Sequence, residues 1–474
     1  MHPKPNILFV LTDDQRFDTI GALGNPEIRT PNMDRLVAMG TSFTQAHIPG
    51  GTCGAICCPS RAMLHTGRTL FHLDGVGERI PEEHVTLGEQ FRNAGYQTFA
   101  TGKWHNGRES FNRSFSDGEH IFFGGMADHW NVPSFHYDPE GAYGQTFPRC
   151  VDPFKSNEVH RIPGDHMSLG VHSSDLLADA AADWIGSREG DRPWMAYLSF
   201  LAPHDPRTMP PEYLCMYPPE EVELPPNFMA AHPYDTGALQ IRDELLEAFP
   251  RTPGAIRKHI AEYRAMITHL DDCLGRVLDV LEKQGELENT VIVFTGDNGL
   301  AVGQHGLMGK QNHYEHSIRV PLIFSGPGIR QGEISEAPVY LLDIFPTLCE
   351  HLGLAVPASV EGCSFAPLLR GEEGQARERM FFAYENSLRS VKKGRYKFTL
   401  AAVDGQPLVT RMFDLQSDPW ETKDLSCDPA FRELRAGLEQ DLRQLASEWD
   451  DPQSTWGQTF WSRAGDSFET GSPA

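Results

Sequence analysis

Two acidic pairs and a cysteine cluster are where this sequence can do chemistry. Asp13-Asp14 and Asp297-Asn298 carry four carboxyl or carboxamide groups, and oxygen is the donor that hard divalent cations prefer. Either dipeptide alone reads more readily as a helix cap or a turn; both following apolar runs shifts the reading toward a metal. Cys53, Cys57 and Cys58 cluster as in a metal knot, but no second cysteine pair or histidine pair at finger spacing accompanies them, so a zinc reading fails. The basic and imidazole candidates that follow apolar runs are Lys103, His105 and His204. Taken singly, each reads as a solvated surface charge or a structural residue.

Four apolar runs must deliver these groups to one place. The run 6–12 ends in Asp13-Asp14, 96–101 delivers Gly102-Lys103-Trp104-His105, 194–201 delivers Pro203-His204-Asp205-Pro206, and 290–295 delivers Gly296-Asp297-Asn298-Gly299. Continuous apolar runs with chemistry at their ends are the pattern of strands buried on both faces. Between them, Thr30-Pro31 opens a helix that stops at Gly40, 42–46 returns as a strand, and 87–94 is a short helix stopped by Gly95. The segment 256–282 has helical apolar spacing (Ile260, Tyr263, Met266, Ile267, Leu270, Leu274) and stops near Gly285.

Strands alternating with helices predict an α/β fold, a large and mostly parallel mixed sheet sandwiched by helices, with ligands beyond the carboxyl ends of its strands. From about residue 379 the style changes. The stretches 380–384, 390–400 and 409–415 read as hairpin strands and 431–449 as a helix, which predicts a smaller α+β lobe. The expected division is 1–375 and 376–474, without internal repeats.

The stretch Cys57-Cys58-Pro59-Ser60-Arg61 followed by Thr66-Gly67-Arg68 resembles the signature of type I sulfatases of the alkaline phosphatase superfamily. Gly95 to His105 is similar to that family's second signature, 6–14 to its first strand, and Asp297-Asn298-Gly299 with His305-Gly306 and Lys310 to its late metal and sulfate motif. The resemblance runs from about residue 5 to 425, ending at Phe413-Asp414-Leu415 and Asp418-Pro419. It implies an alkaline phosphatase-like fold, oxidation of Cys57 to formylglycine by a maturation enzyme, and a bound Ca2+.

What the resemblance implies is a sulfuric ester hydrolase. Hydrated formylglycine is a geminal diol: one hydroxyl attacks sulfur, and the other expels sulfate as the aldehyde reforms. The implied metal ligands are Asp13, Asp14, Asp297, Asn298 and residue 57 itself. Lys103 and Lys310 are expected to face the charge that develops on the sulfuryl oxygens. Arg61 is expected to orient the formylglycine, His105 to bond to it and assist collapse of the sulfated intermediate, and His204 to protonate the leaving oxygen. His65 and His313 are expected to be structural or supporting residues, and Phe122 and Phe123 packing residues. Arg108, Asp128 and His129 are weighed evenly between pocket and scaffold.

Composition narrows the class. A 474-residue chain with 40% hydrophobic and 22% charged residues has no apolar run able to span a bilayer. A formal net charge of -24 disfavours nucleic acid and anionic membranes, and suits a small or terminal sulfate ester, a sulfated sugar among them, better than a long polyanion. Nine cysteines, an odd and thinly spread set, are expected to be reduced and mostly buried. Met1 to Pro5 lacks the layout of a leader, so the chain as written reads as cytoplasmic, and as periplasmic or secreted if a leader was removed. Two rival readings remain. One is a phosphonate monoester or phosphodiester hydrolase, although relatives with that chemistry commonly have His where this chain has Asn298. The other is a non-catalytic binder of sulfated ligands in which Cys57 stays a thiol.

Overall fold

The computed structural model describes residues 4–152, 154–188 and 190–465, so Met1 to Pro3 and the last nine residues, on which the leader and C-terminal readings partly fell, lie outside the described residues. Eight strands form the main sheet: β1 Asn6–Thr12, β2 Gly40–Phe43, β3 Gln97–Lys103, β4 Asp117–Phe122, β5 Trp194–Ser199, β6 Thr290–Gly296, β7 Leu322–Ser325 and β8 Glu333–Ser335. Their order is β8-β2-β7-β6-β1-β5-β3-β4. The run β6-β1-β5-β3-β4 is parallel, while β7 is antiparallel to both of its neighbours.

The central strands are apolar throughout because both faces of the sheet are covered. Ile7, Phe9 and Leu11 of β1 enter one hydrophobic cluster together with Met195, Tyr197, Val291 and Val293. Leu8 and Val10 enter the other with Ala196, Leu198, Ile292 and Phe294. Each such side chain contributes about 1.5–3 kcal/mol on burial, so alternation with polar residues would lose one face. The second cluster is roofed by the helix Pro253–Lys283, whose N-cap Thr252 accepts a hydrogen bond from the Ala255 amide at 3.3 Å and whose first residue is proline.

Parallel pairing aligns the carboxyl ends of four strands. Thr12 pairs with Gly296, Leu11 with Ser199, and Ser199 with Gly102. The residues that follow therefore emerge from one edge of the sheet. Gly102 is required there: its φ is +93°, and a Cβ would collide with the Ser199 carbonyl.

The C-terminal sheet contains β9 Arg379–Tyr384, β10 Leu388–Lys393, β11 Tyr396–Ala401 and β12 Val409–Asp414, joined in sequence as antiparallel neighbours. Where one strand was expected over 390–400 there are two, because Gly394, at φ +54°, turns the chain in a tight hairpin. Likewise 42–46 is not one strand: the chain turns at Thr44-Gln45, and Ala46–His47 pairs elsewhere, with Val339–Tyr340. β9 also takes Gly50–Gly51 as a parallel neighbour, which places this sheet against the segment leading into Cys57. All nine cysteines are free, but the expectation of burial fails for Cys150, Cys215, Cys363 and Cys427, which are exposed in loops or at the ends of short elements. Among the described residues no helix is long and apolar enough to cross a membrane.

A buried ion network fastens the C-terminal sheet to the rest. Glu315 meets Lys392 at 2.8 Å and Lys397 at 3.1 Å, and Lys397 also meets Glu421 at 2.7 Å. Removing one partner leaves buried charge uncompensated. Glu315→Ala is therefore expected to lower the unfolding free energy by about 3–5 kcal/mol, read as a shift of the denaturant midpoint.

Candidate active site

Cys57 is the first residue of a ten-residue helix, Cys57–Thr66, that ends on Gly67 at φ +64° with its amide donating to the Met63 carbonyl. Pro59 falls within the first turn, where a missing amide hydrogen costs nothing. Ser60 Oγ then donates to the Asp297 carbonyl at 2.5 Å, and Arg61 Nε to Asp297 Oδ2 at 2.8 Å. The proline starts the helix, and the serine and arginine tie it to the end of β6.

The other strand ends close around the thiol. Cys57 Sγ lies 3.4 Å from Lys103 Nζ and 3.5 Å from His105 Nδ1. Lys103 donates a short hydrogen bond to Asp13 Oδ2, and Lys310 Nζ donates to Asp14 Oδ1 at 2.6 Å. Arg61 Nη1 is held by the Lys103 carbonyl and by Ser199 Oγ, both at 2.7 Å. The Asp14 amide donates to Asp297 Oδ1 at 3.1 Å and Asn298 Nδ2 to Asp14 Oδ1 at 2.6 Å. His204 Nδ1 is 2.7 Å from the Asp205 carbonyl, leaving Nε2 facing Asp14 Oδ2 at 3.6 Å. All ten expected residues thus come together, nine of them buried and His105 partly exposed.

Asp14 and His105 carry positive φ, +68° and +74°, a conformation that costs a residue with a Cβ roughly 1–2 kcal/mol. Tyr263 holds Asp14 in it, donating to the Asp14 carbonyl at 2.6 Å and accepting from the Arg16 amide at 3.0 Å. Asn106, next to His105, is clamped to the Cys58 carbonyl at 3.0 Å and the Gly77 carbonyl at 2.6 Å.

The donor set fits a hard divalent cation. A carboxylate oxygen each of Asp13 and Asp297 and the Cys57 sulfur lie within 4.8 Å of one another, as do donor atoms of Asp13, Asp14 and His204. Asp13 Oδ1 and Asn298 Oδ1 are buried without a hydrogen-bond partner. Buried orphan acceptors cost about 1–3 kcal/mol each, a debt a cation would remove.

Electrostatics separates the roles of similar groups. Burial opposes ionisation of Asp13, yet Lys103, His204, Arg61 and Lys310 together hold it well below the usual carboxylate range. Burial and the Asp13 carboxylate push Asp297 up to about 6 against Arg61 and Lys103. The Cys57 thiol is raised by burial, which outweighs Lys103 and Lys310. An unmodified cysteine here is a thiol, not a thiolate, and a poor nucleophile. Burial, with Lys103 and Arg61 beside it, holds His105 well below its ordinary value and therefore neutral.

The remaining candidates have structural partners. His129 bonds Ser173 Oγ at 2.7 Å and the His204 carbonyl at 2.9 Å, so it braces His204 from behind. Asp128 turns back on Asn131 and the Trp130 amide, and Arg108 lies over the rings of Phe123 and Phe135. Phe122 is buried, and Phe123 packs against Phe111, Phe135 and Tyr143. Gly125 of the same loop passes over His105, where a Cβ would lie 3.2 Å from Nε2. His65 bonds Tyr197 and His313 bonds Ser390. Residues that the sequence did not single out are Ser199, Tyr263, Asn106 and Glu244. Glu244 accepts the Met308 and Gly309 amides, both at 2.9 Å, and so shapes the turn that carries Lys310.

The family model described as Sulfatase matches residues 5–354, and the one described as N-sulphoglucosamine sulphohydrolase, C-terminal, matches 303–448. The chain belongs to the sulfatase family. This sulfatase is a hydrolase of sulfate esters with an alkaline phosphatase-like fold. PehA of Trinickia caryophylli, a multifunctional alkaline phosphatase superfamily protein, is 28% identical over 94% of this chain and 95% of its own. The N-acetylglucosamine-6-O-sulfatase of Bacteroides thetaiotaomicron is 26% identical over 94% of this chain and 86% of its own. The solved structure of BT4656 with its substrate D-glucosamine-2-N,6-O-disulfate superposes with a TM-score of 0.70 at 23% identity, covering 94% of this chain and 98% of that one.

The two carboxylates give opposite pH signatures. Asp297, raised to about 6, stabilises the cation-free fold fully below the ordinary carboxylate pKa near 4, and that contribution is lost as pH rises through about 6. Asp13 is depressed, so its contribution is present above pH 4 and is lost only at lower pH. Between pH 4 and 6, in chelator, the sulfatase is therefore expected to lose about 1–3 kcal/mol relative to its Asp297→Asn variant, measured by denaturant unfolding of both proteins.

Proposed function

We propose that this sulfatase cleaves the ester with a formylglycine made from Cys57 and a Ca2+ held by Asp13, Asp14, Asp297, Asn298 and residue 57, acting on a sulfated saccharide or another small sulfate ester. The observation that carries it is the position of Cys57 Sγ, 3.4 Å from Lys103 Nζ and 3.5 Å from His105 Nδ1, beside the acidic pairs at the end of β1 and β6. The high-lying thiol supports a nucleophile other than a thiolate.

Hydrated formylglycine supplies a hydroxyl to attack sulfur and a second one whose deprotonation allows sulfate to leave, so no stable sulfated enzyme accumulates. Asp13, Asp14, Asp297 and Asn298 would hold a divalent cation which, when bound, would lower the pKa of that hydroxyl and polarise the sulfuryl oxygens. Lys103 and Lys310 offer positive charge to the oxygens of the ester, where it is worth most in a buried site. Neutral His105, beside residue 57, is free to accept a proton. His204, anchored through Nδ1, presents Nε2 to the leaving oxygen and donates there when the ring is protonated. Arg61 positions the others through Asp297, Ser199 and the Lys103 carbonyl. This assigns the chemistry to residues 1–375, with 376–474 as the supporting unit.

Two features support a saccharide. The curated relative acts on N-acetylglucosamine 6-O-sulfate groups, as its name states, and the net charge of -24 disfavours a long polyanion. The second reading is a phosphonate monoester or phosphodiester hydrolase of the same superfamily, against which Asn298 stands.

A maturation enzyme must act before any turnover. Intact-protein mass is expected to show a species about 18 Da lighter than the unmodified chain, the change from a thiol-bearing side chain to an aldehyde. Cys57→Ala is expected to remove at least about 10⁴-fold of turnover on an aryl or sugar sulfate without altering the fold. Full mass retained together with no turnover would instead support a binder of sulfated ligands. Chelator is expected to abolish the rate reversibly, and Asp297→Ala to weaken both cation binding and rate; an unchanged rate in chelator would dismiss the cation.

A further inference from the structure

The strand β4 is an edge strand carrying a defect. Thr101 of β3 pairs with Glu119 but Gly102 pairs with Ile121, so His120 is left over, with φ +49°. Neighbours in a regular strand point to opposite faces. The bulge turns His120 toward its neighbour, with Nδ1 3.6 Å from Glu119 Oε1.

Two further segments bring imidazoles to the same spot. Ile121 and Phe135 exchange both backbone hydrogen bonds at 2.9 Å, which fixes His136, and Ser134 pairs with His166. His136 Nδ1 lies 2.8 Å from Glu119 Oε1, and His166 Nε2 lies 2.6 Å from His120 Nδ1 and 3.8 Å from Glu119 Oε1. His136 and His166 stack with centroids 4.0 Å apart. On its far side His166 Nδ1 meets Asp165 Oδ1 at 2.6 Å, and the carboxylate of Asp165 is held by the His136 amide at 3.2 Å.

We infer that Glu119, His136 and His166 form a second metal site, distinct from the sulfatase pocket and suited to Zn2+. Two imidazole nitrogens and one carboxylate oxygen, with a fourth position left open, are donors for a borderline cation with tetrahedral preference. The donor atoms of Glu119, His136 and His166 lie within 4.8 Å of one another. The Asp165 to His166 contact is the carboxylate to histidine pairing that orients a metal-bound ring. Glu119 and Asp165 balance the double charge, and His136, whose side chain is 61% exposed, leaves an entry path.

The site would clamp the edge of the sheet to the loop that follows it. That loop carries His129, which braces His204. The role is thus structural, and its test reads metal, not turnover.

The full-length protein, kept in excess Ca2+, is titrated calorimetrically with Zn2+, and separately with Co2+ while visible spectra are recorded. One equivalent of Zn2+ is expected to bind, with the intense d–d bands of tetrahedral Co2+ at the same stoichiometry. His136→Ala and His166→Gln are each expected to weaken binding at least about 10–100-fold and to abolish the bands, and Asp165→Asn to weaken it about 10-fold. Asp297→Asn is expected to leave the stoichiometry intact. His136 being largely exposed, its variant keeps the fold, and circular dichroism confirms this. Absence of binding, binding unaffected by either histidine variant, or binding lost in Asp297→Asn would overturn the site. None of these outcomes depends on Cys57 or its maturation, so failure here leaves the reading of the active site untouched.

Discussion

Charge balance inside a water-poor pocket is the constraint on which this molecule depends. Asp13, Asp14 and Asp297 face Arg61, Lys103 and Lys310, and all six are buried. An isolated buried charge costs several kcal/mol, and mutual pairing recovers that only when each group is also hydrogen-bonded. Every acid here has a cationic partner, and the arginine has carbonyl and hydroxyl partners besides. The set nevertheless leaves acceptors without partners at Asp13 and Asn298. A network that leaves two oxygens and Arg61 Nη2 buried without hydrogen-bond partners is arranged for something more than stability.

The scaffold answers that constraint through strand ends, not through a single helix or loop. Parallel pairing in register sets Thr12, Lys103, Ser199 and Gly296 side by side, so one strand each delivers acid, base, hydroxyl and acid. The strands can be wholly apolar because their two faces feed separate cores. That rigidity permits Asp14 and His105 to sit at positive φ: the cost is carried by packing and by the clamps at Tyr263 and Asn106. The helix of Cys57 is then docked against the end of β6 by Ser60 and Arg61. Its approach is set on the other side by Gly50–Gly51, which belongs to the C-terminal sheet.

Much of this was legible because apolar runs and chemistry coincide in the sequence. The central strands and the long helix could be read from run length and periodicity and the groups at strand ends from the polar residues that follow those runs, whereas Cys57, Arg61 and Lys310 were legible only through the family motifs they resemble. The residues that were not legible act through others. Ser199 looks like any strand-ending serine, and Tyr263 looks like one more member of the apolar stripe of its helix, yet the first holds Arg61 and the second fixes the Asp14 backbone. Glu244 lies in a stretch without periodicity and is defined by the two amides it accepts and by its buried pair with Arg251. The misread tail has a comparable cause. A turn as short as the one at Gly394 hardly interrupts the apolar pattern on either side, so 390–400 reads as one strand.

One local irregularity serves both ends of the molecule's chemistry. β3 must come close enough to β5 for Lys103 to reach Asp13, and only a residue without a Cβ can sit against the Ser199 carbonyl, so Gly102 is required. At that glycine the register with β4 slips, Lys103 comes to pair with Phe122, and His120 is expelled from the ladder toward Glu119. An alanine at residue 102 would push β3 away from β5, which displaces Lys103 and removes the reason for the bulge at once. Gly102 is thus the point at which the regular, close pairing with β5 that delivers Lys103 and the slipped pairing with β4 that turns His120 toward Glu119 meet.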